Sequence, residues 1–182
     1  MDAREIEDDD VVYYLAASLD GFIADRDGGA DWLNDYMLPE LGMAEFMKRI
    51  GSTIIGRRSW DKMVAMMGKA ASGGSTPGTI VTHRPIEVGK KSRVRTAEGD
   101  VAEIMAVARA HGPGPYWLIG GADVATQFLL QGALTRIDLF TIPVLLGGGT
   151  PAFRNEVPVS LDLISAHTYG KGITRTSWRP RR

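Results

Sequence analysis

The chain has 182 residues, 44% hydrophobic and 24% charged, with a formal net charge of −1 and no cysteine. These figures fit one globular domain that buries about two-thirds of its unfolded surface, exclude disulfides and thiolate metal sites, and supply no overall field to attract nucleic acid or an anionic membrane. No stretch reads as a signal peptide or a bilayer span, so a single cytoplasmic domain over 1–182 is expected, with 1–10 an acidic tail and 179–182 a basic one.

In chain order, Val11 to Ala17 is a continuous apolar run rich in β formers, as expected of a strand buried on both faces. It leads into the turn pair Asp20-Gly21, three apolar residues, and a second polar turn at Asp25 to Gly29. A loop at the end of a buried strand is where α/β sheets place ligands. Asp31-Trp32-Leu33, with Asp35 and Tyr36, then reads either as a pocket wall or as an aromatic pinning the loop to the core. Beyond Pro39, the positions Met43, Phe46, Met47 and Ile50 have the spacing of an amphipathic helix that Gly51 closes.

Ser52 to Ile55 is a short β-branched strand ending at Gly56-Arg57-Arg58-Ser59, where a helix begins. Backbone amides, guanidinium groups and a helix N-terminus could converge there on a phosphate; equally, Ser59 could cap the helix beside surface arginines. Gly68 to Gly78 has the composition of a flexible loop. Thr79 to Thr82 is the next strand, and its exit His83-Arg84-Pro85 reads as a ligand contact or a surface turn. Asp100 with Glu103 forms a capping box for a helix ending near His111-Gly112. Tyr116 to Ile119 is then a strand broken by Gly120-Gly121 and followed by a helix through Val124, Ala125, Phe128 and Leu129. Such a turn is either packing geometry or an anion site.

Ile137 to Leu146 is a long apolar strand interrupted by Pro143 and ended by Gly147-Gly148-Gly149. Asp162 to Tyr169 and Ile173 to Trp178 form an antiparallel hairpin. Alternating strands and helices followed by a hairpin predict a three-layer α/β domain with a mostly parallel mixed sheet, helices on both faces and an antiparallel C-terminal end. His83, His111 and His167 are far apart, so no metal is expected. The P-loop, the G-x-S-x-G elbow and the G-x-G-x-x-G fingerprint are absent. What remains is a row of strand ends suited to an elongated, phosphate-bearing ligand.

Five motifs in order carry a resemblance: Ala16 to Ala24, Asp31-Trp32-Leu33, Ile55 to Trp60, Leu118 to Ala122, and Pro143 to Phe153. Together they resemble the dihydrofolate reductase-like superfamily, and more closely the C-terminal reductase domain of the bifunctional riboflavin biosynthesis deaminase-reductase. The resemblance runs from about Val11 to Trp178 and implies an NADPH-dependent oxidoreductase whose cofactor lies across strand ends. It implies that Ala17 and Ile23 lend backbone groups to the nicotinamide carboxamide. Gly56, Arg57, Arg58 and Ser59 would bind the pyrophosphate and 2′-phosphate, Thr82, His83 and Arg84 would lie near the adenosine, and Gly120, Gly121, Ala122 and Asp123 would close over the pyrophosphate. Arginine beside the first glycine junction favours NADPH over NADH, because the second phosphate needs a cation.

The implied chemistry is hydride transfer to a pterin-, pyrimidine- or flavin-like heterocycle, with a carboxylate assisting protonation. Glu40, Glu45 and Asp31 are the candidates for it, and Asp35 is a further rival. Two departures separate the chain from the pyrimidine reductases of riboflavin biosynthesis. Ile119 stands where those carry an acidic residue before the glycine pair, and Lys62 to Met67 replaces an aspartate-proline stretch. The phosphoribosylaminouracil reductase reaction is therefore an alternative, and a nucleotide-binding sensor or scaffold without turnover another. A homodimer through the C-terminal hairpin and the strand from Ile137 to Leu146 is expected.

Overall fold

The computed structural model describes residues 6–68, 75–87 and 92–181. Its organising strand is β1, Val11–Ser18, and the side-chain alternation explains the continuous apolar run. Val11, Tyr13 and Leu15 point into one core cluster, whereas Val12 and Tyr14 point into another on the opposite face. A strand covered on both faces needs no polar side, so its sequence shows none.

The remaining parallel strands are β3 (Ser52–Gly56), β4 (Gly78–Val81), β5 (Val94–Ala97), β6 (Tyr116–Gly120) and β7 (Arg136–Ile142). The antiparallel pair β9 (Leu161–Thr168) and β10 (Thr174–Pro180) completes an eight-stranded sheet in the order β5-β4-β3-β6-β1-β7-β10-β9. Phe22–Ala24 (β2) pairs separately with Thr150–Pro151 (β8). Helices α1 (Met43–Arg49) and α2 (Arg57–Met67) cover one face, and α3 (Val101–His111) and α4 (Ala122–Leu130) cover the other. The packing follows the predicted spacings: Phe46 and Ile50 are buried under α1, and Ile104, Ala108, Ala125 and Phe128 are wholly buried under α3 and α4. This is the expected three-layer α/β architecture with an antiparallel C-terminal hairpin.

At the far side of the sheet, Asp138 on β7 is fully buried. It accepts hydrogen bonds from Arg136 Nε and from Arg175 Nη2 on β10, each at 3.1 Å, which pins the antiparallel hairpin to the parallel strands. The Arg175 guanidinium lies over the rings of Tyr14 and Phe140, 5.7 and 5.4 Å from their centroids.

Several elements differ from the sequence reading. Strand β5 was not expected, because its middle residues Arg95 and Thr96 face solvent and only Val94 and Ala97 are buried. The strand predicted to reach Leu146 stops at Ile142, since Pro143 has no N–H to continue the ladder. The segment after β1 contains the short strand β2 rather than turns alone. Neither terminal segment is wholly a solvated tail. Asp10 accepts from Thr135 Oγ1 at 2.6 Å and from the Glu7 amide at 2.9 Å. Arg179 and Pro180 belong to β10, and Arg181 pairs with Asp162 at 2.6 Å. Pairing with β9 gives these backbone groups partners that the local sequence could not announce. Most of the glycine-rich loop from Gly68, the stretch 69–74, lies outside the described residues.

Candidate cofactor site

All six parallel strands end on the same edge of the sheet, and β3 and β6 are neighbours there, with Ile55 opposite Gly120. Each passes into a helix without an intervening loop: Gly56 precedes α2, and Gly121 precedes α4. Neither helix has a side-chain cap, so the first-turn N–H groups of both face one small region.

The glycines are required by how closely these turns approach. A Cβ added at Gly56 would stand 3.0 Å from the Gly121 nitrogen and 3.0 Å from Val124 Cγ2; one at Gly121 would stand 3.3 Å from Ser59 Oγ. Gly120 has a φ of +118°, where side chains are strained. Ser59 therefore sits against the second glycine turn, its hydroxyl outside any helix cap. The strand-to-helix junctions predicted separately thus form one cradle.

Charged groups surround it. Arg57 Nε donates to Asp61 Oδ1 at 2.8 Å and Oδ2 at 3.0 Å, and its Nη1 reaches the Pro85 carbonyl at 3.0 Å, towards the end of β4. Arg58 crosses the other way and pairs with Asp123 in the first turn of α4. A residue without any local sequence signal joins them: Arg154, whose Nε lies 3.2 Å from Asp123 Oδ1. Thr82 is buried and uses its hydroxyl in its own turn, accepting from the Arg84 amide at 3.0 Å, while His83 is exposed. The polar exit of β4 is thus an ordered turn that places Arg84 and Pro85 beside Arg57.

At the other end of the row, Ala17 is buried, and Ile23 packs against the core cluster that holds Val11, Tyr13 and Leu15. The intervening loop is clamped by Asp20, which accepts from Ser18 Oγ at 2.5 Å and from the amides of Leu146 and Gly147 at 3.1 and 2.7 Å. The Ser18 hydroxyl, followed by the Gly147 and Leu146 amides, holds the Asp20 carboxyl below the usual carboxylate range. Leu19 N–H to Val144 O (2.8 Å) and Ala152 N–H to Gly21 O (3.0 Å) complete the junction between the loops after β1 and β7.

The candidate carboxylates are divided. Glu40 and Glu45 both line a cavity of about 460 Å³ between α1 and the β7–β10–β9 surface, together with Tyr14, Arg49, His167 and Arg175. Glu45 is hydrogen-bonded to Lys48 at 2.9 Å. The Tyr14 hydroxyl donates to the Leu41 carbonyl at 3.0 Å, and burial raises its pKa strongly. Asp31 begins the short 3₁₀ helix Asp31–Tyr36 and lies outside that cavity. The indole of the neighbouring Trp32 packs into the core with its Nε1 buried and unpartnered. Among the described residues, no group of three or more His, Cys, Asp or Glu side chains could hold a metal ion.

The sheet order, the helix pairs and the two glycine junctions define a dihydrofolate reductase-like fold. Dihydrofolate reductase from Enterococcus faecalis, solved in complex with NADP(H) and RAB-propyl, superimposes with a TM-score of 0.67 at 16% identity, covering 96% of this chain and 98% of that one. Residues 58–175 match the RibD C-terminal domain family, and the chain belongs to that family. A protein of Shewanella sp. PV-4, provisionally assigned to riboflavin biosynthesis, is 25% identical with a TM-score of 0.81, covering 95% of this chain and 99% of that one. The uncharacterized protein YyaP of Bacillus subtilis (strain 168) is 26% identical over an alignment of 178 positions that covers 91% of this chain and 92% of the relative. Family and fold together support an oxidoreductase role acting on a small molecule. No helix among the described residues is long and apolar enough to cross a membrane.

Proposed function

We propose that this protein is an NADPH-dependent reductase of a pterin-, pyrimidine- or flavin-like heterocycle. The observation that carries the proposal is the convergence of two uncapped helix N-termini at the adjoining glycine ends of β3 and β6. That backbone cradle suits a pyrophosphate, because the amides present partial positive charge and the missing Cβ atoms allow close approach. On this reading Gly56, Ser59, Gly120, Gly121 and Ala122 hold the pyrophosphate. Arg57 and Arg58 supply cations for the phosphates; Thr82, His83 and Arg84 flank the adenosine, and Asp123, the carboxylate paired with Arg58, lies beside the pyrophosphate. Ala17 on β1 and Ile23 on β2 offer backbone groups at the nicotinamide end, on either side of the clamped Asp20 loop. When bound, NADPH supplies the hydride; the chain's own part is to bind, orient and exclude water.

For the proton, Glu40 and Glu45 are the preferred pair because they share a cavity, although Glu45 is already engaged by Lys48. That engagement, and the separation of Asp31 from the cavity, favour a second reading in which the protein binds the nucleotide without turnover. The family membership keeps open the phosphoribosylaminouracil reductase reaction, against which Ile119 stands. Purified protein should be incubated with NADPH and, separately, dihydrofolate, the phosphoribosylaminouracil and free flavin, following loss of NADPH absorbance. Turnover with one of them, reduced in Glu40→Gln or Glu45→Gln, supports the reductase. NADPH binding without oxidation in any mixture favours the sensor.

We further propose a cytoplasmic homodimer. Strand β7 lies between β1 and β10, so it has no free edge for assembly; β9 is the outer strand and exposes Leu163. Sedimentation equilibrium of wild type and Leu163→Lys separates the cases, with a monomeric wild type overturning the dimer.

A further inference from the structure

Arg154 belongs to no motif, yet its segment is tied to the cradle by contacts from two other elements. The Thr126 hydroxyl, buried on α4, accepts the Arg154 amide at 2.8 Å. Phe153 packs edge-on against Tyr13 at a centroid distance of 5.3 Å, and the Tyr13 hydroxyl donates to the Ala152 carbonyl at 3.2 Å. Tyr13 also lies beneath the glycine turn, 3.8 Å from where a Cβ of Gly120 would be. These contacts tie residues 152–154 to the floor of the cradle and direct the Arg154 guanidinium to Asp123, where it meets Arg58 arriving from α2.

Two arginines on separate elements therefore share one carboxylate at the mouth of two helix N-termini. We infer that Arg58 and Arg154 form a pyrophosphate-binding pair and that Asp123 is its exchangeable counter-ion, displaced when the cofactor's pyrophosphate arrives. All three side chains are substantially exposed, and pairs of that kind contribute little in water, so the arginines can transfer from carboxylate to phosphate at small cost. The ionised Asp123 leaves the trio with one net positive charge; Asp123→Asn would leave two. Asp123 thus limits affinity for the nucleotide and allows its release. The pyrophosphate is common to NADPH and NADH, so this pair acts on both cofactors alike, in contrast to a group that reads the 2′-phosphate. The inference rests on the proposed nucleotide site.

The test is titration of NADPH and of NADH against wild type, Asp123→Asn and Arg154→Ala at low and high salt, with thermal melting to confirm folding. Asp123→Asn is expected to tighten both cofactors by about fivefold to tenfold at low salt, with the gain shrinking at high salt. Arg154→Ala should weaken both by about tenfold. Weaker or unchanged binding in Asp123→Asn overturns the counter-ion role, and unchanged binding in Arg154→Ala overturns the pair. A wild type that binds neither nucleotide overturns the underlying site itself, a result visible before any variant is made.

Discussion

At the residue scale, two side chains near the strand ends have separable duties. Arg57 is held by Asp61 and by the Pro85 carbonyl, which aims it along the exit of β4 and away from the Arg58–Asp123 contact. If it reads the 2′-phosphate, Arg57→Ala should weaken NADPH by about tenfold or more while leaving NADH nearly unchanged, since one charge-assisted bond is worth about 1.5–3 kcal/mol. Equal loss for both nucleotides, measured by fluorescence titration, would remove that assignment. Asp20 clamps the loop after β1. Its pKa is depressed in the folded state, so its contribution is present above the ordinary carboxylate pKa and is lost as pH falls through the depressed value. Wild type should therefore be more stable than Asp20→Asn at neutral pH, with the difference closing on acidification below about pH 4. A melting-temperature gap that does not change with pH would contradict the clamp.

At the scale of elements, what could be read from the sequence was local chemistry. The Asp100–Glu103 capping box is present with both bonds, Glu103 N–H to Asp100 Oδ1 at 2.9 Å and Asp100 N–H to Glu103 Oε2 at 2.8 Å. Asp100→Ala should cost about 1 kcal/mol, as measured by urea unfolding; no loss would mean that tertiary packing of Ile104 and Ala108 alone fixes the start of α3. The glycine junctions were legible for the same reason, since a broken apolar run followed by helical spacing is written within some fifteen residues. Strand β5 was not, because a four-residue edge strand with two exposed middle positions has almost no periodicity to detect. Arg154 was invisible for another reason: its importance comes from Thr126 and Tyr13, 28 and 141 positions away in the chain, and no spacing rule connects them.

At the scale of the whole molecule, the sequence suggested a parallel sheet with an antiparallel end but carried no direct statement of strand order. The insertion of β6 between β3 and β1 brings Gly56 to Gly121 and converts two separate glycine turns into one cradle. The family resemblance implied that both turns hold one pyrophosphate, but neither it nor spacing stated the strand order that joins them. The antiparallel end is held by buried charge. Asp138→Asn would leave Arg136 and Arg175 without the carboxylate they share, and a loss of about 3–5 kcal/mol is expected on denaturant unfolding. A loss below about 1 kcal/mol would show that strand pairing and apolar packing hold β10 unaided.

The central claim is that the joined glycine turns bind a dinucleotide carrying a 2′-phosphate. Calorimetric titration of the wild-type protein with NADPH, and with NADH under the same conditions, tests it most directly. The structure and family lead us to expect saturable NADPH binding well below about 1 mM and clearly tighter than NADH. No heat of binding with NADPH up to that concentration, together with no protection against thermal unfolding, would contradict it.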